Sequence, residues 1–145
     1  MKKAILLIFL VITPLKAEIY NIDQLKLDSY HGKVLYLDFW ASWCKPCVKS
    51  FPWMNSLVSK YPADRFIVVT VNLDAEPAAM HKFLAKVRAD FDIYHDPSGN
   101  IAEQFQIEGM PTSYLIDAQG KVVRKHIGFY TKKIDEYEKE IEDLL

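Results

Sequence analysis

Short apolar runs alternate along the chain with stretches in which apolar residues return every three or four positions. Over residues 33–40, Val34, Leu35, Tyr36, Leu37, Phe39 and Trp40 are apolar or aromatic and only Asp38 is charged after the leading lysine, the pattern of a buried strand. From Pro46 onward, Val48, Phe51, Met54, Leu57 and Val58 recur at helical spacing toward Tyr61. Pro52 is expected to kink that helix. Residues 65–71 form a second β-rich run, and residues 76–87 a second helical segment with Met80, Phe83, Leu84 and Val87 on one face. A short strand over 91–95, a turn at Asp96-Pro97-Ser98-Gly99 and a short helix over 101–105 follow. Strands over 113–116 and 121–127 are joined by the hairpin signal Asp117-Ala118-Gln119-Gly120, and residues 131–145 keep apolar positions at helical spacing to the end. Alternating βα units followed by a hairpin and a helix predict an α/β domain with a mixed sheet.

The first residues follow another pattern. Lys2 and Lys3 precede the apolar run 4–12, then come Thr13, Pro14 and the small residue Ala17, the arrangement of a secretory signal peptide cleaved after Ala17. The alternative is an uncleaved segment that tethers the protein to a membrane, but residues 4–15 as a helix reach only ~18 Å against a hydrocarbon core of ~30 Å. Residues 1–17 are therefore set apart from a domain of residues 18–145. Export of bacterial type places that domain in the periplasm, where disulfides form and persist.

Composition narrows the function. The chain has 145 residues, 50% of them hydrophobic, enough for one core without disulfide stapling. Its 18 Lys and Arg nearly cancel its 19 Asp and Glu, so the basic field that gathers nucleic acid is missing. A monomer is expected.

Chemistry concentrates in Trp40-Ala41-Ser42-Trp43-Cys44-Lys45-Pro46-Cys47, which puts two thiols at the junction of a strand and a helix. Cys44, at the helix start, faces exposed amides and the positive end of the helix dipole, and Lys45 adds a cation; both favour thiolate. Cys44 is thus the expected nucleophile. Cys47, one turn further and on the same side, is placed to resolve a mixed disulfide. Other readings of the pair are weaker. A structural disulfide closing so short a loop removes little unfolded-state entropy, and structural zinc requires four ligands where the chain has two cysteines and no His-x₃₋₅-His pair. Covalent haem needs His directly after the second cysteine, where Val48 stands.

The segment 38–47, with Pro52 five residues on, resembles the active-site segment of the thioredoxin superfamily. Asp96-Pro97-Ser98-Gly99, Phe105, Gly109 and Pro111-Thr112 resemble its TlpA-like branch, related to the ResA and CcmG types, whose members are exported or membrane-tethered. The resemblance runs over residues 33–128. It implies a thioredoxin fold, a central mixed sheet flanked by helices, and a thiol:disulfide oxidoreductase that uses a Cys44–Cys47 disulfide and no other cofactor or metal. It further implies that Pro111 is a cis-proline leaving Met110 free to pair with extended substrate, and that Asp38 relays a proton to or from Cys47. Trp43, Lys45 and Pro46 complete the implied substrate-facing surface, with Trp40 helping to shape the site. The implied partners are disulfide-containing exported proteins and a membrane electron donor of the DsbD type.

Departures from the family pattern bear on the role. Cytochrome-maturation members often carry Glu three residues after the second cysteine, where this chain has Ser50, so a general protein-disulfide reductase stands ahead of a dedicated cytochrome c role. The Lys-Pro dipeptide between the cysteines favours reductase over dithiol oxidase. Copper delivery, as in Sco-like metallochaperones of the same fold, is the non-enzymatic alternative, although those proteins separate their cysteines by three residues. His31, His81, His95 and His126 are expected at the surface or core edge.

Overall fold

The apolar run that begins at Val34 forms the centre of a six-stranded sheet. In the computed structural model, which describes residues 17–145, every residue of β2 (Val34–Trp40) is buried, because both faces of the strand are covered. The other strands are β1 (Ile19–Asn21), β3 (Phe66–Asn72), β4 (Asp92–His95), β5 (Thr112–Ile116) and β6 (Val122–Ile127). Their spatial order is β1-β4-β3-β2-β5-β6. The first four lie parallel, β5 runs antiparallel to them and β6 antiparallel to β5, so the sheet is mixed as expected. The expected signal segment, residues 1–16 up to Ala17, lies outside the described residues.

Helix α1 spans Lys45–Lys60, α2 Pro77–Leu84, α3 Asn100–Gln104 and α4 Ile134–Glu142. The period-two alternation of β2 sorts the core into two halves. Tyr36 and Trp40 point to the side covered by Phe51, Met54 and Leu57 of α1, Met80 and Phe83 of α2, and Tyr137 and Ile141 of α4. Leu35, Leu37 and Phe39 point to the other side, beneath Leu27 and Tyr30 of the N-terminal turns and Ile101 of α3. Asp38 shares the parity of Tyr36 and Trp40 and therefore faces the three longer helices.

The expected elements lie within a few residues of the observed ones. The second helix ends at Leu84, not Val87, because the amides of Lys86 and Val87 both turn back onto the Phe83 carbonyl. The terminal helix starts at Ile134 after a tight turn over residues 131–133. Helix α1 continues through Pro52, whose ring sits on its exposed side, for eight further residues. Strand β1 has no counterpart in the sequence-based expectation, since three residues are too few for a period to register.

Candidate functional site

The end of β2 delivers the chain directly to the two cysteines. Cys44 occupies the N-cap of α1 with extended backbone, and its Sγ accepts the Cys47 amide at 3.3 Å. Pro46 falls within the first turn, where its missing N–H costs nothing. A disulfide of 2.05 Å joins Cys44 to Cys47. When the bond is reduced, the amide aimed at Cys44 and the dipole behind it stabilise a thiolate on that sulfur. Cys44 keeps 4% of its surface in solvent, whereas Cys47 keeps none.

Around this pair the sequence-predicted residues divide into a buried base and an exposed rim. Trp43, with 70% of its surface exposed, stands beside the disulfide, and Lys45 and Pro46 are exposed on the first helical turn. Trp40 is fully buried instead, packed against Phe51 and Phe83 and donating its indole N–H to Thr70 Oγ1 at 3.1 Å. It belongs to the core that supports the site. The Met110–Pro111 peptide bond is cis. Register pairs Thr112 with Phe39, so Pro111 and the cysteines share one end of the sheet. Pro111 is buried, its carbonyl accepts the Gly128 amide at 2.7 Å, and Met110 packs on the core cluster that includes both cysteines.

Asp38 lies on the cysteine-bearing face of β2, is 1% exposed, and its Oδ2 finds no hydrogen-bond partner among the described residues. Burial without a compensating cation pushes its carboxyl well above the usual range. Tyr36, on the same face, has its hydroxyl raised by burial and then by the charge of Asp38, although its hydrogen bond to Ser113 opposes the shift.

A second group, around Asp74, was not anticipated. Its buried carboxylate accepts the Ser42 amide at 3.0 Å, the Ser42 hydroxyl at 2.8 Å and the Asn72 side-chain amide at 2.8 Å. Its own amide donates to Asn72 Oδ1, and the His95 ring lies 2.7 Å from its carbonyl. Asp74 thereby ties the loop entering the helix to the ends of β3 and β4. A lone Asp two residues after Asn at a strand end is a faint signal, and its partner Ser42 is 32 positions away.

The histidines are peripheral, as expected. His31 and His81 are exposed and His95 is half-buried. His126 packs edge-on against Tyr137 with Nε2 2.8 Å from Glu140 Oε2, and burial lowers its pKa. Among the described residues, no group of three or more His, Cys, Asp and Glu side chains gathers as a metal site would require. Ser50 is buried and bonds its hydroxyl to the Cys47 carbonyl at 3.0 Å.

A dithiol pair capping a helix at the end of a central parallel strand defines a redox protein of the thioredoxin fold. A model of the AhpC/TSA family matches residues 13–125. The thiol-disulfide oxidoreductase ResA of Bacillus thuringiensis subsp. konkukian is 34% identical over 119 residues, covering 81% of this chain and 69% of that protein. Among solved structures, the Chlorobium tepidum protein assigned as thiol:disulfide interchange protein DsbE superposes with a TM-score of 0.80 at 48% identity, covering 83% of this chain and 85% of that one. StoA from Bacillus subtilis gives 0.63 at 30% identity, covering 75% and 82%. The chain belongs to the AhpC/TSA family of the thioredoxin superfamily, in its TlpA-like branch of ResA-related thiol-disulfide oxidoreductases.

Proposed function

We propose that residues 18–145 form an exported, periplasmic and monomeric protein-disulfide reductase. The observation that carries this reading is the unequal setting of the two sulfurs, one capping the helix at the surface and the other enclosed beside a face that holds an unpaired carboxyl. In the reduced protein the Cys44 thiolate attacks a substrate disulfide, forming a Cys44–substrate disulfide and releasing one substrate thiolate. In its ionised form Asp38, made a stronger base than an ordinary carboxylate by its burial, takes the proton of the Cys47 thiol. The Cys47 thiolate then attacks Cys44 Sγ, closing the Cys44–Cys47 disulfide and releasing the second substrate sulfur as a thiolate, which takes a proton from water. Two electrons pass to the substrate.

Trp43, Lys45, Pro46, Met110 and Pro111 form the substrate-facing rim in this scheme, and no metal or organic cofactor takes part. An oxidising compartment leaves the protein in its disulfide form after each cycle, so a membrane electron carrier of the DsbD type restores the dithiol. A signal segment ending at Ala17 leaves β1 intact after cleavage. Buried Ser50, at the position where cytochrome-maturation relatives carry Glu, supports a general substrate range.

Reduction of insulin disulfides by dithiothreitol tests the reading. The wild-type protein accelerates it and Cys44→Ser does not; equal rates for the two refute catalysis. The reduction potential against glutathione tests the direction. A value near the strongly oxidising end of the fold's range refutes the reductase assignment in favour of dithiol oxidase.

A further inference from the structure

Although the whole chain carries a net charge of only −1, its charges are segregated between helices. Residues 39–63, which include all of α1, contain no Asp or Glu, and neither do residues 77–89, which include α2. Helix α4 holds Asp135, Glu136, Glu138, Glu140 and Glu142. Lys60 of α1 is engaged by Glu138 and Glu142 at 2.6 and 2.8 Å. Lys45, Lys49, Lys82 and Lys86 make no ion pair among the described residues and are exposed.

These four lysines border two adjoining hollows beside the disulfide. One, of about 270 Å³, lies between Ser42, Ala79, Lys82 and Lys86. The other, an open groove of about 630 Å³, runs along α1 past Val48, Pro52, Asn55 and Ser59, with Lys86 and Arg88 on its far wall. Lys86 lines both. Lys45 and Lys49 are three positions before Val48 and Pro52, so they border the groove on the helix surface. The one carboxylate lining the groove, Asp90, is held by Arg88 at 2.7 Å. Glu76, exposed at the start of α2, and Asp74, buried against Ser42, are carboxylates that counter this field locally. Ser42, two residues before Cys44, lines one hollow and Val48, the residue after Cys47, lines the other, so both hollows begin next to the disulfide-bearing turn.

We infer that the α1–α2 groove docks an acidic, extended segment of the protein whose disulfide is exchanged, steering that substrate to Cys44. The inference rests on the proposed exchange of protein disulfides at Cys44–Cys47. Clustered, unpaired cations beside a reactive group raise the encounter rate of an anionic partner, and the gain falls with added salt.

Three disulfide-bonded peptides with identical residues around the disulfide and Glu-rich, uncharged or Lys-rich flanks provide the test, with hydroxyethyl disulfide as an uncharged small substrate. The reduced full-length protein should reduce the Glu-rich peptide about tenfold faster, in kcat/KM, than the uncharged one at low ionic strength. That ratio should shrink toward one as salt rises past about 150 mM, where the Debye length is about 8 Å. In the Lys82→Glu/Lys86→Glu protein the ratio should fall to one or invert toward the Lys-rich peptide. Because each ratio is taken within one protein, a partly unfolded variant does not distort it. A wild-type ratio of one, or an unchanged ratio in the double variant, overturns the docking site while leaving the proposed function standing. Failure of the wild type to reduce any of the peptides or hydroxyethyl disulfide overturns the proposed function itself. Salt-sensitive binding to phosphatidylglycerol vesicles that the double variant loses, without a peptide preference, overturns the peptide assignment in favour of an anionic membrane surface.

Discussion

Replacing Asp38 by Asn should remove one large contribution to the pH dependence of stability. In the unfolded chain the carboxyl titrates near its ordinary value, about 3.9, whereas in the folded protein burial without a partner holds it protonated to much higher pH. Between those two points the native state binds one proton more than the unfolded state. Stability therefore declines as pH rises, by about 1.4 kcal/mol per pH unit, from the unfolded value until the native carboxyl ionises, after which the loss is complete. The amide of Asn is neutral throughout and nearly isosteric, so this contribution vanishes in the variant. Urea unfolding of the oxidised wild-type and Asp38→Asn proteins at a series of pH values from about 4 to 8 measures the effect. The difference in unfolding free energy should grow in favour of Asn with that slope, and the pH at which it levels off reports the native pKa of Asp38. A difference that stays constant across the series would show that Asp38 ionises normally in the fold, and the proton-relay role would lose its physical basis.

Three further outcomes follow from the supporting structure. Asp74→Ala leaves the Ser42 amide and the Asn72 side chain without their acceptor and should cost about 2–5 kcal/mol in urea unfolding, with Ser42→Ala costing about 1; a loss below 1 for Asp74→Ala would show that water replaces the carboxylate freely. Trp40→Ala empties the centre of the cysteine-side core and should cost about 3–5 kcal/mol, whereas Trp40→Phe should cost less by keeping a ring against Phe51 and Phe83. Gly128 has a φ of 82° and an added Cβ would sit 3.2 Å from the Tyr130 ring, so Gly128→Ala should lose about 1–2 kcal/mol; no change would show that the loop adopts another conformation freely.

Features with a strong local pattern were legible in the sequence. Seven consecutive buried residues in β2 announced a central strand, and the run into Cys44, Pro46 and Cys47 announced the helix that follows it. Resemblance to the family supplied Pro111 and its cis bond, which no local pattern marks. What escaped was tertiary. Strand β1 exists because Ile19, Tyr20 and Asn21 pair with Ile93, Tyr94 and His95, residues more than seventy positions away. The Asp74 group forms only when the ends of β2, β3 and β4 come together, which no window along the chain can display. Asp96 opens the turn that the Asp-Pro-Ser-Gly sequence predicts, and Gly99 at a φ of 72° agrees with that. The same buried carboxylate also accepts the amides of Asn100, Ile101 and Ala102, so it starts α3 as well as ending β4.

The burial of Cys47 beneath the slightly exposed Cys44 bears on how partners of this protein can be identified. A partner can form its covalent link only at the outer sulfur, and its release depends on the enclosed one. A chain with Cys47→Ala would accept the link and lack the group that breaks it. Substrates captured in this way would remain attached through denaturing purification, so the protein could serve as bait for its own clients, recovered by adding a reductant.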